Sequence, residues 1–427
     1  MSEKSAAAQS SGNPRALLVV PMWPAPSGNG VAMRAHLLLT ALARDHRVDV
    51  WCIPVAGAQP GEPHRGAGIT RGVVATLEVD PGWILASRAG AQTLRDLGRP
   101  AACRFVTHRA VAELRRAFGP FDYRCTVVYR SYLLPFAAAA SADPAALGLR
   151  IVDLDDDEAT TRRHLAGLAP AAAAADRHRL EAELFEGFES EHLPWAHHLL
   201  AAQEAHAGRI RRRWPDRPVD ILPNAVHIPA LLRQERPTTG EPRTLHLLFV
   251  GTLSYLPNRA AVTELASVIT PRLRENGLKV RLRIIGRQPP PDIAELGQLD
   301  GVELVTDARD LGPHYAWTDQ VVVPLRAGGG TRIKILEAFA HRVPVLATAM
   351  AADGLDVRDG RELLLAESAE ELVAASRWLQ RSPSVARDLA ERAFHWVQRH
   401  HERALVAERL ADRISRLASS PPPSQNR

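Results

Sequence analysis

Residues 324–340 read PLRAGGGTRIKILEAFA. The overlapping run DQVVVPL at 319–325 is short, apolar and bounded by turn residues, as a buried parallel strand requires. Gly328, Gly329 and Gly330 then leave its carboxyl end, and Thr331 stands where it can cap the helix that follows. In open α/β sheets ligands sit at that edge. Residues without Cβ let the backbone approach a ligand closely, and the unbonded N–H groups of a first helical turn present partial positive charge. Arg332 and Lys334 add formal charge where a helix start ordinarily prefers Asp or Glu, and the dipole alone would contribute only ~0.3–1 kcal/mol. This inverted charge points to an anionic ligand, a phosphate in the first instance. On a helical wheel Lys334, Glu337 and His341 fall within about 60° of one another, opposite Ile333, Leu336, Phe339 and Ala340. Glu337 reads either as a surface residue beside a flexible glycine turn or as the acceptor for a vicinal diol such as that of ribose.

Working outward, the second half repeats one theme. TLHLLFVG (244–251), VRLRIIG (280–286), GVELVT (301–306) and VPVLAT (343–348) are further strand candidates, with a helix expected over 258–275. The first half shows the same alternation. ALLVVP (16–21), RVDVWCIP (47–54), TVVYR (126–130), RIVDLD (150–155) and HHLLAAQ (197–203) read as strands, and 31–44 and 177–193 as helices, closing near DILPNAV (220–226). Between the halves, HIPALLRQERPTTGEPR (227–243) has the Pro, Thr and charge content of a linker. Ser368 with Glu371 forms a capping box, and 385–417 carries the pattern of one or two long amphipathic helices.

A chain of 427 residues exceeds one ordinary core, which agrees with two doubly wound domains. The excess of 53 basic over 48 acidic residues is mild, and no block of like charges resembles a nucleic-acid arm. The densest basic stretch, RIRRRWPDR (209–217), reads as a solvated helix end, with contact to nucleic acid or anionic lipid as its alternative. Cys52, Cys103 and Cys125 are odd in number, far apart and outside any CxxC pattern, which fits a reduced protein without a structural disulfide or zinc site. No apolar run is long enough to span a bilayer and MSEKSAAAQSSGNP (1–14) is polar, so a cytoplasmic protein is expected. The bias to Ala, and to Arg over Lys, is that of a GC-rich bacterial genome.

The string VVVPLRAGGGTRIKILEAFAHRVPVLATAMAADGLDV (321–357) resembles the nucleotide-sugar site of retaining glycosyltransferases of family 4. LLFVGTLSYLPN (247–258), RLRIIGRQP (281–289) and ILPNAV (221–226) match that family in order and spacing. The resemblance implies the GT-B fold: two Rossmann-like doubly wound α/β domains facing a central cleft, with C-terminal helices packing back toward the first. The expected boundaries are a disordered head (1–14), an acceptor domain (15–226), the linker (227–243), a donor-nucleotide domain (244–400), a C-terminal helix (401–418) and a disordered tail (419–427). It assigns the donor diphosphate to Gly329, Gly330, Thr331, Arg332 and Lys334, and the ribose to Glu337, with Gly251 and Thr252 also at the donor. Gly28-Asn29-Gly30 resembles the family's loop facing the donor phosphates or acceptor, and is equally readable as a plain strand-to-helix turn. Arg34 and His36 beyond it read as surface or packing residues.

This chain departs from the family in two places. Many members carry two glutamates in an E-x7-E arrangement, and the first falls here on Gly329. Many also clamp the diphosphate with an Arg and a Lys near the opening of the second domain, where this chain has Thr252 and Asn258. Arg332 and Lys334 are expected to take over the charge, with Arg259 or Arg287 as helpers.

In RIVDLDDDEAT (150–160), Asp153, Asp155 and Asp157 alternate and would share one face of a strand end. A literal DxD also reads as a Mg²⁺ or Mn²⁺ site, but that motif belongs to a single-domain glycosyltransferase fold, so no metal is expected. Asp155 stands near the place where metal-independent members keep a histidine beside the transferred sugar. The candidate catalytic residues are therefore Asp155, Lys334 and Arg332. The implied reaction is attack of an acceptor nucleophile on the anomeric carbon of a UDP- or GDP-linked sugar, with retention and without a cofactor. The leaving diphosphate would accept the proton, and the protein would neutralise its developing charge. The acceptor is a glycan or lipid-linked intermediate, with peripheral membrane contact left open, or a soluble natural-product precursor; no nucleic-acid partner is expected. The alternatives are an inactive nucleotide-sugar-binding protein and a GT-B-fold sugar-nucleotide epimerase.

Overall fold

The computed structural model describes residues 12–54, 68–75, 95, 98–102, 108–230, 244–329 and 332–419. Most of the expected head and linker, the tail from 420, Cys103, Gly330 and Thr331 lie outside the described residues. The chain divides into two compact units, with Pro223 ending the first stretch of unit 1, Asn224–Arg403 forming unit 2, and the chain from Ala404 onward belonging again to unit 1.

Unit 1 holds a seven-stranded sheet of β1 (Arg15–Val20), β2 (Arg47–Cys52), β3 (Ile69–Val74), β4 (Cys125–Tyr129), β5 (Leu149–Asp153), β6 (His198–Ala201) and β7 (Val219–Ile221). All neighbours are parallel, in the order β3-β2-β1-β4-β5-β6-β7. The chain winds outward from β1 in one direction and then from β4 in the other, so their carboxyl ends part at a topological switch point. Five consecutive β1 residues, Ala16 to Val20, are fully buried, as expected for a central parallel strand covered on both faces. The edge strand β3, with the sequence ITRGVV, has no continuous apolar run and was not among the sequence expectations. Its Gly72 makes room for Trp23, since a Cβ there would lie 2.4 Å from the indole.

Unit 2 holds β8 (Leu245–Val250), β9 (Val280–Gly286), β10 (Val302–Thr306), β11 (Gln320–Val323), β12 (Val345–Ala347) and β13 (Leu364–Leu365), ordered β10-β9-β8-β11-β12-β13 and again parallel. Its switch point lies between β8 and β11. The helix expected over 258–275 runs from Leu256–Glu264 through a π turn, Leu265–Ile269, into Thr270–Glu275. Pro271 has no N–H to donate, and the wider turn just before it accommodates that missing bond. Ser368 and Glu371 form the reciprocal capping box on Ala369–Arg381. The long C-terminal pattern resolves into two helices, Pro383–His400 and Arg403–Ser419. The second buries Val406, Ala407, Leu410, Ala411 and Ile414 within unit 1.

The basic stretch on the helix Glu204–Arg213 and just after it is engaged within unit 1. Arg209 pairs with Asp157 at 2.7 Å, Arg211 with Glu204, and Arg213 and Arg217 donate to the carbonyls of Glu186 and Ala196 at 2.7 and 2.9 Å. Among the described residues, Cys52 and Cys125 are buried free thiols, and no helix is long and apolar enough to cross a membrane.

Candidate functional site

At the switch point of unit 2, β8 ends at Val250 and passes into Gly251, β9 ends at Gly286, and β11 leads into the glycine turn. A Cβ on Gly286 would lie 1.9 Å from the Gly251 carbonyl oxygen, so the two strand ends approach as closely as they do because residue 286 is glycine. A Cβ on Gly251 would in turn meet Asn258 Nδ2 at 2.7 Å and Lys334 Nζ at 3.1 Å. Lys334 thus reaches from the helix Ile333–Ala340 to the end of β8. Its ammonium donates to Asn258 Oδ1 at 2.7 Å and lies 4.0 Å from the centre of the Phe249 ring. Asn258 Nδ2 donates to the Thr252 carbonyl at 2.8 Å, which fixes the amide's orientation. Lys334 keeps part of its surface accessible. Desolvation, reinforced by the charge of Arg332 and opposed by Glu337, pushes its pKa down to about 7.

Glu337 lies one turn further on. Tyr315, from the short helix Gly312–Trp317, donates its hydroxyl to Glu337 Oε2 at 3.1 Å and stacks on His341 with ring centroids 4.4 Å apart. His341 Nδ1 lies 2.8 Å from the Glu337 carbonyl oxygen. Burial pushes the Glu337 carboxyl up to about 7, against the Tyr315 hydrogen bond and the charges of Arg403 and Lys334. One helix therefore presents a cation and a carboxylate that both titrate near neutrality.

Arg332 is placed otherwise than the sequence expectation had it. It occupies the N-cap position of Ile333–Ala340 and makes no side-chain cap bond, so the helix begins one residue later than a Thr331 cap would require. This corrects the capping expectation: the chain at Arg332 has φ −82° and ψ 62°, and helical geometry starts only after it. The guanidinium is buried and folds back onto the turn, donating to the carbonyls of Gly329 (2.9 Å), Gly328 (3.2 Å) and Met350 (2.8 Å). Gly328 itself has φ +120°, a conformation open to glycine, and a Cβ there would come within 3.2 Å of the Tyr255 hydroxyl. The two expected helpers have acidic partners: Arg259 pairs with Asp292 at 2.8 Å and Arg287 with Asp307 at 3.7 Å.

At the switch point of unit 1, Gly28 has φ +97° and Asn29 is the N-cap of the helix Gly30–Ala43, its side chain accepting from Val31 N at 2.7 Å. One turn on, Arg34 meets Asp153 in a two-pronged ion pair at 2.6 and 2.7 Å, with both side chains fully buried. Asp155 accepts from the Tyr129 hydroxyl at 2.9 Å and from Arg130 at 2.8 Å, with Arg34 Nε 3.5 Å away. Arg130 also binds Glu158 at 3.0 Å. His36 stays with Thr40 on its own helix.

The three alternating aspartates do not share a strand face. β5 ends at Asp153, Asp155 turns to φ +54°, and Asp157 becomes the N-cap of the helix Glu158–Leu168, accepting from Thr160 N at 2.9 Å. The period-two alternation fails because the strand has ended before the second carboxylate. Among the described residues, no group of three or more His, Cys, Asp or Glu side chains is placed to hold a metal ion. Sequence reasoning had not singled out Arg130, Glu158, Tyr315 or Phe249. No local spacing marks them, since each acquires its partner from a different element.

Residues 244–382 match the family model described as glycosyl transferases group 1. No curated protein matches the chain by sequence. Among solved structures, the chain is similar to a sucrose-phosphate synthase from Thermosynechococcus elongatus, with a TM-score of 0.68 at 16% identity over 96% of this chain and 100% of that one. It is also similar to Anabaena Alr3699/HepE in complex with UDP and glucose, with a TM-score of 0.61 at 15% identity over 94% of this chain and 100% of that one. WaaG, a glycosyltransferase involved in lipopolysaccharide biosynthesis, gives a TM-score of 0.61 at 17% identity over 94% of this chain and 99% of that one. The family match lies entirely within the unit that carries the Lys334–Glu337 helix, and the structural matches span both units. The chain therefore has the two-domain GT-B fold, and within its second unit residues 244–382 match the glycosyl transferases group 1 model.

Proposed function

We propose that this protein transfers a sugar from a nucleoside-diphosphate sugar to an acceptor nucleophile, with retention of anomeric configuration and without a metal ion. The observation that carries the reading is the pairing of Lys334 and Glu337 on one helix at the switch point of unit 2, the cation oriented by Asn258 and the carboxylate by Tyr315. Such a pair suits a ligand with an anionic half and a diol half, which is the chemistry of a ribose diphosphate. Lys334 then meets the diphosphate and Glu337 the ribose. Gly251, Thr252 and Gly329 supply the close backbone around it, and Gly330 and Thr331 follow next in sequence. UDP is the first donor nucleotide to try, because the Anabaena relative was solved with it.

The metal-free reading is supported by the engagement of Asp153 and Asp155 with Arg34 and Arg130, which neutralises the carboxylates a DxD site would offer. The same contacts give Asp155 a positioning part, holding Arg130 and Tyr129 at the carboxyl edge of unit 1, where the acceptor is assigned. The leaving diphosphate accepts the acceptor proton on the face where the new bond forms, and cationic and N–H groups stabilise the charge it develops. The acceptor is either a glycan or lipid-linked intermediate or a soluble natural-product precursor, in an enzyme acting in the cytoplasm.

The test is release of nucleoside diphosphate from a panel of UDP- and GDP-sugars with candidate acceptors, with product anomers read by NMR and a parallel reaction in excess EDTA. Glu337→Ala removes a charge-assisted hydrogen bond of about 1.5–3 kcal/mol and is expected to weaken donor use roughly tenfold to a hundredfold with an unchanged circular dichroism spectrum. Unaltered kinetics with every donor would overturn the ribose assignment. The glycine at 329, where many relatives keep a glutamate, favours a second reading as a nucleotide-sugar-binding protein. Tight donor binding without turnover across the acceptor panel would establish that one.

A further inference from the structure

The two cations of Arg332-Ile333-Lys334 are two residues apart and engaged in different ways. Lys334 sends its ammonium to the end of β8, part of its surface accessible, with one neutral amide oxygen at 2.7 Å and an aromatic face at 4.0 Å as its neighbours. Arg332 is 5% exposed and spends its fork on three backbone carbonyls. Two of these, Gly328 O and Gly329 O, belong to successive peptide units of the turn, and the third, Met350 O, belongs to the short helix Ala349–Ala352 that follows β12. One side chain thereby ties the loop leaving β11 to the loop leaving β12.

The geometry of the peptide unit gives this a directional consequence. In a trans peptide the C=O and N–H bonds point to opposite sides. A guanidinium that holds the Gly328 carbonyl oxygen on one side turns the Gly329 N–H of the same peptide unit to the other. A backbone N–H held on the open side of a turn is a donor for an anion. The fork geometry of Arg suits this task, and a lysine ammonium would not reproduce it. Gly328 at φ +120° supplies the conformation the arrangement needs.

We propose that Arg332 serves the donor diphosphate as a positioning residue, without touching it, by holding the carbonyl side of the Gly328–Gly329 peptide unit so that its N–H faces the anion, while Lys334 is the cation that meets the charge. This rests on the donor reading given above and divides labour within that site. It replaces the expectation that both cations neutralise the diphosphate directly.

The experiment uses the full chain and the variants Arg332→Lys, Arg332→Gln and Lys334→Met, with UDP and inorganic pyrophosphate as probes. The first readout needs no ligand: hydrogen exchange of backbone amides in 324–329 and 348–352 is expected to accelerate at least about tenfold in both Arg332 variants and to stay at the wild-type rate in Lys334→Met. Unchanged exchange in the Arg332 variants would overturn the proposal whatever happens with nucleotides. The second readout is the salt dependence of binding. Lys334→Met is expected to flatten the dependence of log Kd on log salt, as loss of a direct ionic contact does, whereas Arg332→Gln weakens binding roughly tenfold with the wild-type slope. Arg332→Lys keeps the charge and loses the fork. Positioning requires it to behave like Arg332→Gln, and wild-type affinity in Arg332→Lys would establish a direct charge contact and overturn the proposal. If exchange accelerates in the Arg332 variants while neither probe binds the wild type, the clamp stands as a structural fact and the donor reading fails, which overturns its assignment to a diphosphate.

Discussion

At the scale of single residues, the donor site proposed at Lys334 and Glu337 predicts binding that depends on pH with opposite signs at the two groups. An anion bound at Lys334 favours the ammonium, whose pKa in the free site is about 7, so affinity falls as pH rises above that value. A diol donating to Glu337 favours the carboxylate, whose pKa is also about 7, so affinity falls as pH drops below it. Donor affinity is expected to follow a bell centred near neutrality, with Lys334→Met removing the alkaline limb and Glu337→Gln the acid limb, as read by calorimetric titration from pH 5 to 9. The unliganded protein should show the complementary trend in stability. Glu337, raised from 4.5, contributes fully below 4.5 and progressively less as pH climbs through about 7. Lys334, lowered from 10.5, penalises folding below about 7 and is relieved as pH rises toward 10.5. A donor-induced rise in melting temperature should therefore be largest near neutrality.

At the scale of elements, the two switch points are held together by different means. In unit 2, backbone meets backbone: Gly286→Ala would place a methyl 1.9 Å from the Gly251 carbonyl oxygen, and the overpacking is expected to destabilise unit 2 by about 1–3 kcal/mol in denaturant unfolding. In unit 1, a charge pair clamps the helix Gly30–Ala43 to the end of β5. Arg34→Met leaves Asp153 buried and uncompensated, for an expected loss of about 3–5 kcal/mol, whereas Arg34→Met with Asp153→Leu should recover most of it. A single variant no worse than the double would show that the carboxylate is not stranded. These elements also show what local pattern conveys. β1, β8 and β11 each hold an apolar run of three to five residues, 16–20, 247–250 and 321–323, and were readable as buried strands. β3 has two adjacent polar residues and a glycine at its centre, and β13 has two residues, so neither carries enough period to be read. The helix Ala172–His192 begins inside an alanine run, five residues before its expected start, because alanine favours helix without advertising a face.

At the scale of the whole molecule, the chain leaves unit 1 once and returns to it once. Unit 2 is contiguous, and the parallel bridge between Val226 and Glu402, with the His401 Nδ1 contact to the Asn224 carbonyl oxygen at 2.6 Å, brings its two chain ends together. The piece 224–403 is therefore expected to fold and to retain nucleoside-diphosphate binding when produced alone. A chain stopped at 403 deprives unit 1 of Val406, Leu410 and Ile414, each contributing about 1.5–3 kcal/mol when buried, and should lose or sharply lower one of two thermal transitions while the other is unmoved. A single transition shifted as a whole would contradict this independence.

The sequence alone determined the parallel α/β character of both halves, their tandem order and the carboxyl-edge position of Lys334 and Glu337, because hydrophobic period and glycine placement are local properties that survive in any fold able to bury them. It also determined the capping box at Ser368. Only the tertiary structure decided how the two cations of the motif are engaged. Arg332 and Lys334 are two positions apart in one motif, and nothing in their spacing tells that one guanidinium would turn onto the carbonyls of Gly328, Gly329 and Met350 while the neighbouring ammonium crosses to Asn258 and Phe249. The same holds for Asp155, whose partners come from β4 and the helix after β1. A charged side chain is directed by whichever acceptor or donor the packing of other elements brings within about 3 Å, and that is a property of the assembled sheet edge.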